Sequence, residues 1–196
     1  MITPGEISRS VFGAWILARF NSNGITLFDN TVEAFWRSFW AAAIVLPAYA
    51  FLLSLRYSGV TIGVGGGTSF IVNCIAYVIG WTAFPFAMYY VAQMFNWGQW
   101  FFRYIAAYNW AVVLQIALML IISLLSSGGM FSSAFGAIAT VISILFIMVY
   151  KGFIARVALQ TTFPGAAAIV FLDFCLSLML DGWTGRLLKL QPFVSG

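Results

Sequence analysis

The sequence predicts an all-α fold, a polytopic membrane helix bundle of about five transmembrane helices led by an N-terminal amphipathic helix at the interface. Three observations predict it. The chain has 196 residues, 63% of them hydrophobic and only 7% charged, against about 25% charged in soluble domains. Arg103 is the one charge between Arg56 and Lys151, which leaves two uncharged runs of more than forty residues. Each run is long enough for two crossings at roughly 20 residues apiece. The apolar runs are also continuous rather than alternating, which argues against a transmembrane β-barrel.

The elements follow in order. In TPGEISRSVFGAWILARF, Thr3 caps a helix, Pro4 suits its first position, and Glu6 completes a capping box. Ile7, Val11, Ala14, Trp15 and Ala18 then recur on one helical face, the pattern of a helix lying among headgroups. VFGAWILA resembles the core of a signal peptide, but Glu6 precedes it and Arg19 closes it, which argues against that reading. NSNG at 21–24 is a turn, and Asn30 with Glu33 reads as the start of the next helix. Crossings are expected over about 38–55, 70–95, 105–125, 134–150 and 166–180, with Pro47 and Pro85 as bends. Between them lie a Gly-rich loop (57–69), an aromatic belt around Arg103 (96–104), a polar connection SSGGMFSS and a basic linker KGFIARVALQTTFPG. The predicted organisation is residues 1–30 as the interfacial segment, 31–182 as the bundle and 183–196 as a tail. No internal repeat of the inverted-transporter kind is visible.

Basic residues set the expected orientation. With the N-terminus cytoplasmic, Arg9, Arg19, Arg37, Arg103, Lys151 and Arg156 lie inside, while Arg56, Arg186 and Lys189 lie outside. Trp15, Trp36, Trp40, Trp97 and Trp100 then gather at the cytoplasmic interface. The net charge of +4 reads as orientation and attraction to anionic lipid, with no nucleic-acid partner expected. Lys151, Arg156 and Arg103 are the candidate headgroup or partner contacts.

Asp173 is the one acid deep in an apolar segment, AIVFLDFCLSL. An ionised carboxylate near mid-bilayer costs roughly 3 kcal/mol on insertion scales, so it is either neutral or faces a partner. Ser177 lies one turn along; Gln115 and Ser143 fall at similar expected depth. These four form the expected polar cluster, either a hydrogen-bonded tie between helices or an intramembrane proton or cation site.

No metal, haem or other cofactor is expected. The chain contains no histidine, which removes histidine bases and His-containing zinc and haem sites. Cys74 and Cys175 sit in apolar segments and read as packing residues. GVGGG at 63–67 lacks the Gly-Lys-Ser/Thr ending of a phosphate loop. Ser132, Gly136 and Thr140, and Ala76 with Gly80, are small residues at four-residue spacing that allow close helix approach. No protease or phosphotransferase constellation is present, so no enzyme activity is expected.

An amphipathic lead, then EAFWRSFWAAAIVLPAYAFLL, then KGFIARVAL before a fifth helix, resembles the Yip1-like family of five-helix membrane proteins in layout and hydropathy, from about Glu33 to Leu180. The resemblance implies a non-enzymatic membrane-organising or assembly protein. The expected function is therefore a non-catalytic accessory or assembly factor working through lipids and other membrane proteins, in a bacterial cell (inner) membrane. The alternative is a small transporter or channel using Asp173.

Overall fold

The computed structural model describes residues 2–58 and 60–192. Seven α-helices carry it: α1 (Pro4–Ala18), α2 (Val32–Ser38), α3 (Trp40–Tyr57), α4 (Gly66–Met94), α5 (Phe101–Ser127), α6 (Ser133–Leu159) and α7 (Phe163–Leu187). Five segments are long and apolar enough to cross a membrane, the first formed by α2 and α3 together. The protein is an integral membrane helix bundle. At about 1.5 Å per residue, the 25–29 residues of α4 to α7 reach past a hydrocarbon core of roughly 30 Å.

The chain's ends of travel are fastened differently. At one end, short 3-10 turns (Ser22–Leu27 and Gly98–Trp100) and α1 wrap the bundle. At the other, β1 (Val60–Thr61) pairs antiparallel with β2 (Gln191–Pro192), and Arg56 meets Asp181 at 3.2 Å. That pairing puts the α3–α4 connection and the C-terminal segment together, as an odd number of crossings requires.

α5 is the hub, packed against α1, α2, α3 and α6, while α7 packs on α4 and α6. The core lies around the first half of α5: Tyr104, Ile105, Ala107 and Trp110 are buried with Leu17, Met88, Tyr150, Ile154 and Leu159. Outward faces carry Phe70, Val78, Ile142, Leu145 and Phe171. Exposed apolar side chains at this density suit a hydrocarbon solvent, where no water penalises them.

Local sequence explains most helix starts. Thr3 and Glu6 form the expected capping box. Thr31, not Asn30, caps α2, its hydroxyl accepting from Ala34 N at 3.1 Å. Asn30 instead bridges to the start of α5: its Nδ2 donates to Gln99 O at 2.6 Å and its Oδ1 accepts from Arg103 N at 3.0 Å. It satisfies one of the free N–H groups that every helix start leaves. α4 begins at Gly66, inside the expected Gly-rich loop.

Two expectations change more. α1 is docked, not merely resting at an interface. Gly13, Ala14 and Leu17 are buried, and the buried Tyr150 hydroxyl donates to Ala14 O at 2.7 Å. Gly24 packs where a Cβ would stand 2.7 Å from Gly13 O and 2.9 Å from Leu17 N. The face carrying Phe12 and Trp15 stays exposed. Second, KGFIARVAL is helix rather than linker, because α6 continues to Leu159 and ends at Gln160 in the left-handed conformation. Charge marks where apolar solvation ends; it does not break a hydrogen-bond ladder.

Candidate functional site

The continuation of α6 decides the surroundings of Asp173. Lys151, the residue just beyond the expected end of its crossing, lies inside the helix. Side chains lean toward a helix's N-terminus, so the Lys151 stem is carried inward along α6. Its Nζ lies 2.7 Å from Asp173 Oδ2. Tyr108 of α5 completes the group, its hydroxyl donating to Asp173 Oδ1 at 2.6 Å. That length belongs to a charge-assisted O–H···O⁻ bond. The Lys151 ammonium also lies 5.1 Å from the Tyr108 ring centroid, within cation–π range. Phe84 of α4 stacks on that ring, centroids 4.4 Å apart, and so fixes its plane. Side chains from α5 and α6 thus meet the α7 carboxylate, and α4 backs the phenol that bonds it.

The pair is well covered, with side-chain exposures of 16% for Lys151 and 9% for Asp173. A buried pair of opposite charges keeps both ionised only if the remaining lone pairs and protons find partners. Tyr108 serves that need on both sides. A recess of about 120 Å³ adjoins the pair, bounded by Lys151, Asp173 and Ser177 and by apolar walls from α6 and α7. At about 30 Å³ per molecule, it has room for a few waters.

The four residues grouped from the sequence do not form one cluster. Ser177 Oγ bonds Asp173 O, its own helix backbone, at 2.9 Å. Ser143 Oγ likewise bonds Ala139 O at 2.8 Å. Both follow the habit of serines in apolar helices, which satisfy the hydroxyl on the preceding turn. Gln115 lies on a different side of the bundle, its Nε2 buried without a hydrogen-bond partner. The partners of Asp173 are Lys151, read from the sequence as a headgroup contact, and Tyr108. Phenols in apolar helices resemble packing residues, so Tyr108 gave no distinct signal.

Of the recesses elsewhere, two are lined by residues singled out in the sequence. Between α6 and α7 runs a groove of about 570 Å³, floored by Gly152, Ala166 and Ala167 and flanked by Phe153 and Phe171. Arg156, exposed in the last turn of α6, lines its outer end and has no ion-pair partner among the described residues. The second recess, about 320 Å³, lies between the end of α1 and the α5–α6 pair, with Gln115 and Arg19 in its lining. The third sequence-predicted contact, Arg103, is half-buried in α5, with its Nε buried and unpartnered.

At the wrapped end, Arg9 bonds Leu27 O at 2.9 Å and Asp29 at 2.7 Å, and Arg37 pairs with Glu6. The Thr3 backbone N–H, with Arg37 added, holds the Glu6 carboxyl below the usual carboxylate range. Buried Asn109 donates to Ser38 Oγ at 2.8 Å, fixing the α2–α3 junction on α5. No group of three metal-ligating acids, cysteines or histidines occurs among the described residues. Comparison with family models, with curated proteins and with solved structures finds no match in any of the three.

Proposed function

We propose that the protein is a non-catalytic membrane-organising, assembly or accessory factor that acts through contacts with lipids and neighbouring membrane proteins. We place it in a bacterial inner membrane with the α1 end cytoplasmic. The α6–α7 groove carries this reading. It is apolar, it faces outward from the bundle, and a lone arginine stands at its outer end. A recess built in this way complements an acyl chain below an anionic headgroup. The layout likeness to Yip1-like proteins is in keeping with it. The test is purification in mild detergent with analysis of everything retained. The wild-type protein should keep acidic phospholipid, and Arg156→Gln should lose the share held in this groove. Equal retention by the two would sink the reading.

A second reading is supported by one observation, the Lys151–Asp173 pair beside a recess with room for water. An ion pair of this kind serves a small transporter if a proton or cation displaces the ammonium from the carboxylate. Purified protein in liposomes would then show a pH-dependent cation or proton flux abolished in Asp173→Asn. A wild-type flux no greater than that of empty liposomes would dismiss it.

A further inference from the structure

The inner face of α7 changes character at Asp173. Toward the α1 end, that face continues as Val170, Ile169 and Ala166, all apolar and buried. Toward the β1–β2 end it carries Ser177, Asp181 and Thr184, successive turns on the same side, and none of the described α7 residues beyond Asp173 is buried. α4 divides at the same level, its buried residues running from Phe84, which stacks on Tyr108, to Ala92 at the α1 end. Ile154 and Leu159 of α6 with Tyr104 and Ile105 of α5 fill the packed layer. The ion pair therefore stands on a boundary between a dense inner half and a loosely packed outer half.

The recess beside the pair extends toward Ser177 and Ile144, away from the dense side. Water suits it better than a lipid chain. The Lys151 ammonium has three protons. Asp173 Oδ2 takes one at 2.7 Å, the Tyr108 oxygen lies at 3.5 Å, and a methylene chain can accept none. Ser177 donates to its own backbone and keeps lone pairs to accept with. Lys151, Asp173 and Ser177 thus offer enough partners for an ordered water. A bound metal ion would want roughly six oxygens, and this lining supplies only those of Asp173 and Ser177.

We infer that Asp173 is a proton site with one-sided access, exchanging with water from the β1–β2 end and sealed from the α1 end. A hydronium in the recess gives its proton to the carboxylate and remains as water. Lys151 stays an ammonium and turns its freed proton to that water. The groups around the carboxylate are Lys151 from α6, Tyr108 from α5 with Tyr104 behind it, and Ser177 on α7. α4 contributes the Phe84 ring, which does not titrate. The next charges along α7 are Asp181 and its partner Arg56, near the β1–β2 end. The inference builds on the second reading above by naming the ligand and its side of entry. Its test reads protonation and not flux, so either can fail alone.

The experiment uses the full chain in sealed membrane vesicles, with Cys74→Ser and Cys175→Ala removing the native thiols. Thr61→Cys, in β1, marks which vesicle face carries the β1–β2 end. A charged methanethiosulfonate, which cannot cross lipid and attacks thiolates only in water, should modify Ser177→Cys from that face alone. Met179→Cys, 71% exposed in the same turn, and Ala166→Cys should stay inert. Dicyclohexylcarbodiimide, which attacks protonated carboxyls, should label Asp173 in the otherwise unaltered chain as the β1–β2 face is acidified. Labelling should rise roughly tenfold per unit of pH while most of the carboxyl is ionised. Acidifying the α1 face should leave it unchanged, and Asp173→Asn gives the blank. Ser177→Cys as inert as Met179→Cys, or Asp173 labelling that follows the pH of the α1 face, overturns the inference.

Discussion

Lys151 and Asp173 stand 2.7 Å apart across the α6–α7 contact, joined 22 residues apart in sequence by one short connection. The geometry neutralises the only acid in the interior of the last crossing. It also makes each partner a liability without the other. Lys151→Met alone should cost about 3–5 kcal/mol, the usual result of leaving a buried charge unpaired. Lys151→Met with Asp173→Leu should recover most of that loss, since neither charge then remains. Unfolding in graded denaturing detergent measures both. A double variant less stable than either single one would contradict the account.

Tyr108→Phe keeps the ring against Phe84 and removes only the hydroxyl that donates to Asp173. The expected loss is about 1.5–3 kcal/mol, as for hydrogen bonds to charged groups. Combined with Asp173→Leu, the same change should cost little. A double-mutant cycle reads the difference directly.

Gly24 allows the turn after α1 to touch that helix. Its Cβ would meet backbone, Gly13 O and Leu17 N, as well as the Leu17 side chain, and the backbone atoms cannot swing aside. Gly24→Ala should therefore destabilise the wrapped end by about 1–3 kcal/mol. Hydrogen exchange should accelerate in α1 well before it does in α5 or α6. Uniform acceleration along the chain would argue against local docking.

Glu6 gives the same region a dependence on acid. Its carboxyl is held below the ordinary value of 4.5, first by the Thr3 backbone N–H and then by Arg37. The contribution is complete above pH 4.5 and fades as pH falls through the lowered value. Exchange protection of the first turn of α1 should accordingly drop on acidification below that point. Glu6→Gln should flatten the drop; an identical acid profile in the variant would exclude Glu6 as its source.

The five apolar runs were legible because solvation by lipid forces long uninterrupted hydrophobic segments. Thr3 and Glu6 were legible because a capping box is local. What stayed hidden depended on distance. Lys151 and Arg156 read as the end of a crossing, since hydropathy records where charge begins and not where a helix stops. Once α6 extends to Leu159, Lys151 is within reach of Asp173, and the serines proposed as its partners turn to their own backbones. Asn30 was misread for a related reason: its cap serves α5, some seventy residues on, and no local pattern encodes that. Gln115 reads in the sequence as an unusual intramembrane polar residue, but its surroundings follow from α1, whose docking face has the same spacing as a face that lies on headgroups.

The hydroxyl of Tyr150 holds Ala14 across 136 residues of chain. During synthesis at 5–20 residues per second, Ala14 is made roughly 7–30 s before Tyr150. Until α5 follows, the apolar side of α1 meets only the 3-10 turn next to it, and the nearest further shelter is the membrane face beside the insertion machinery. Final attachment of the first helix thus becomes a late event in biogenesis, a closing latch that reports that the fourth span has arrived.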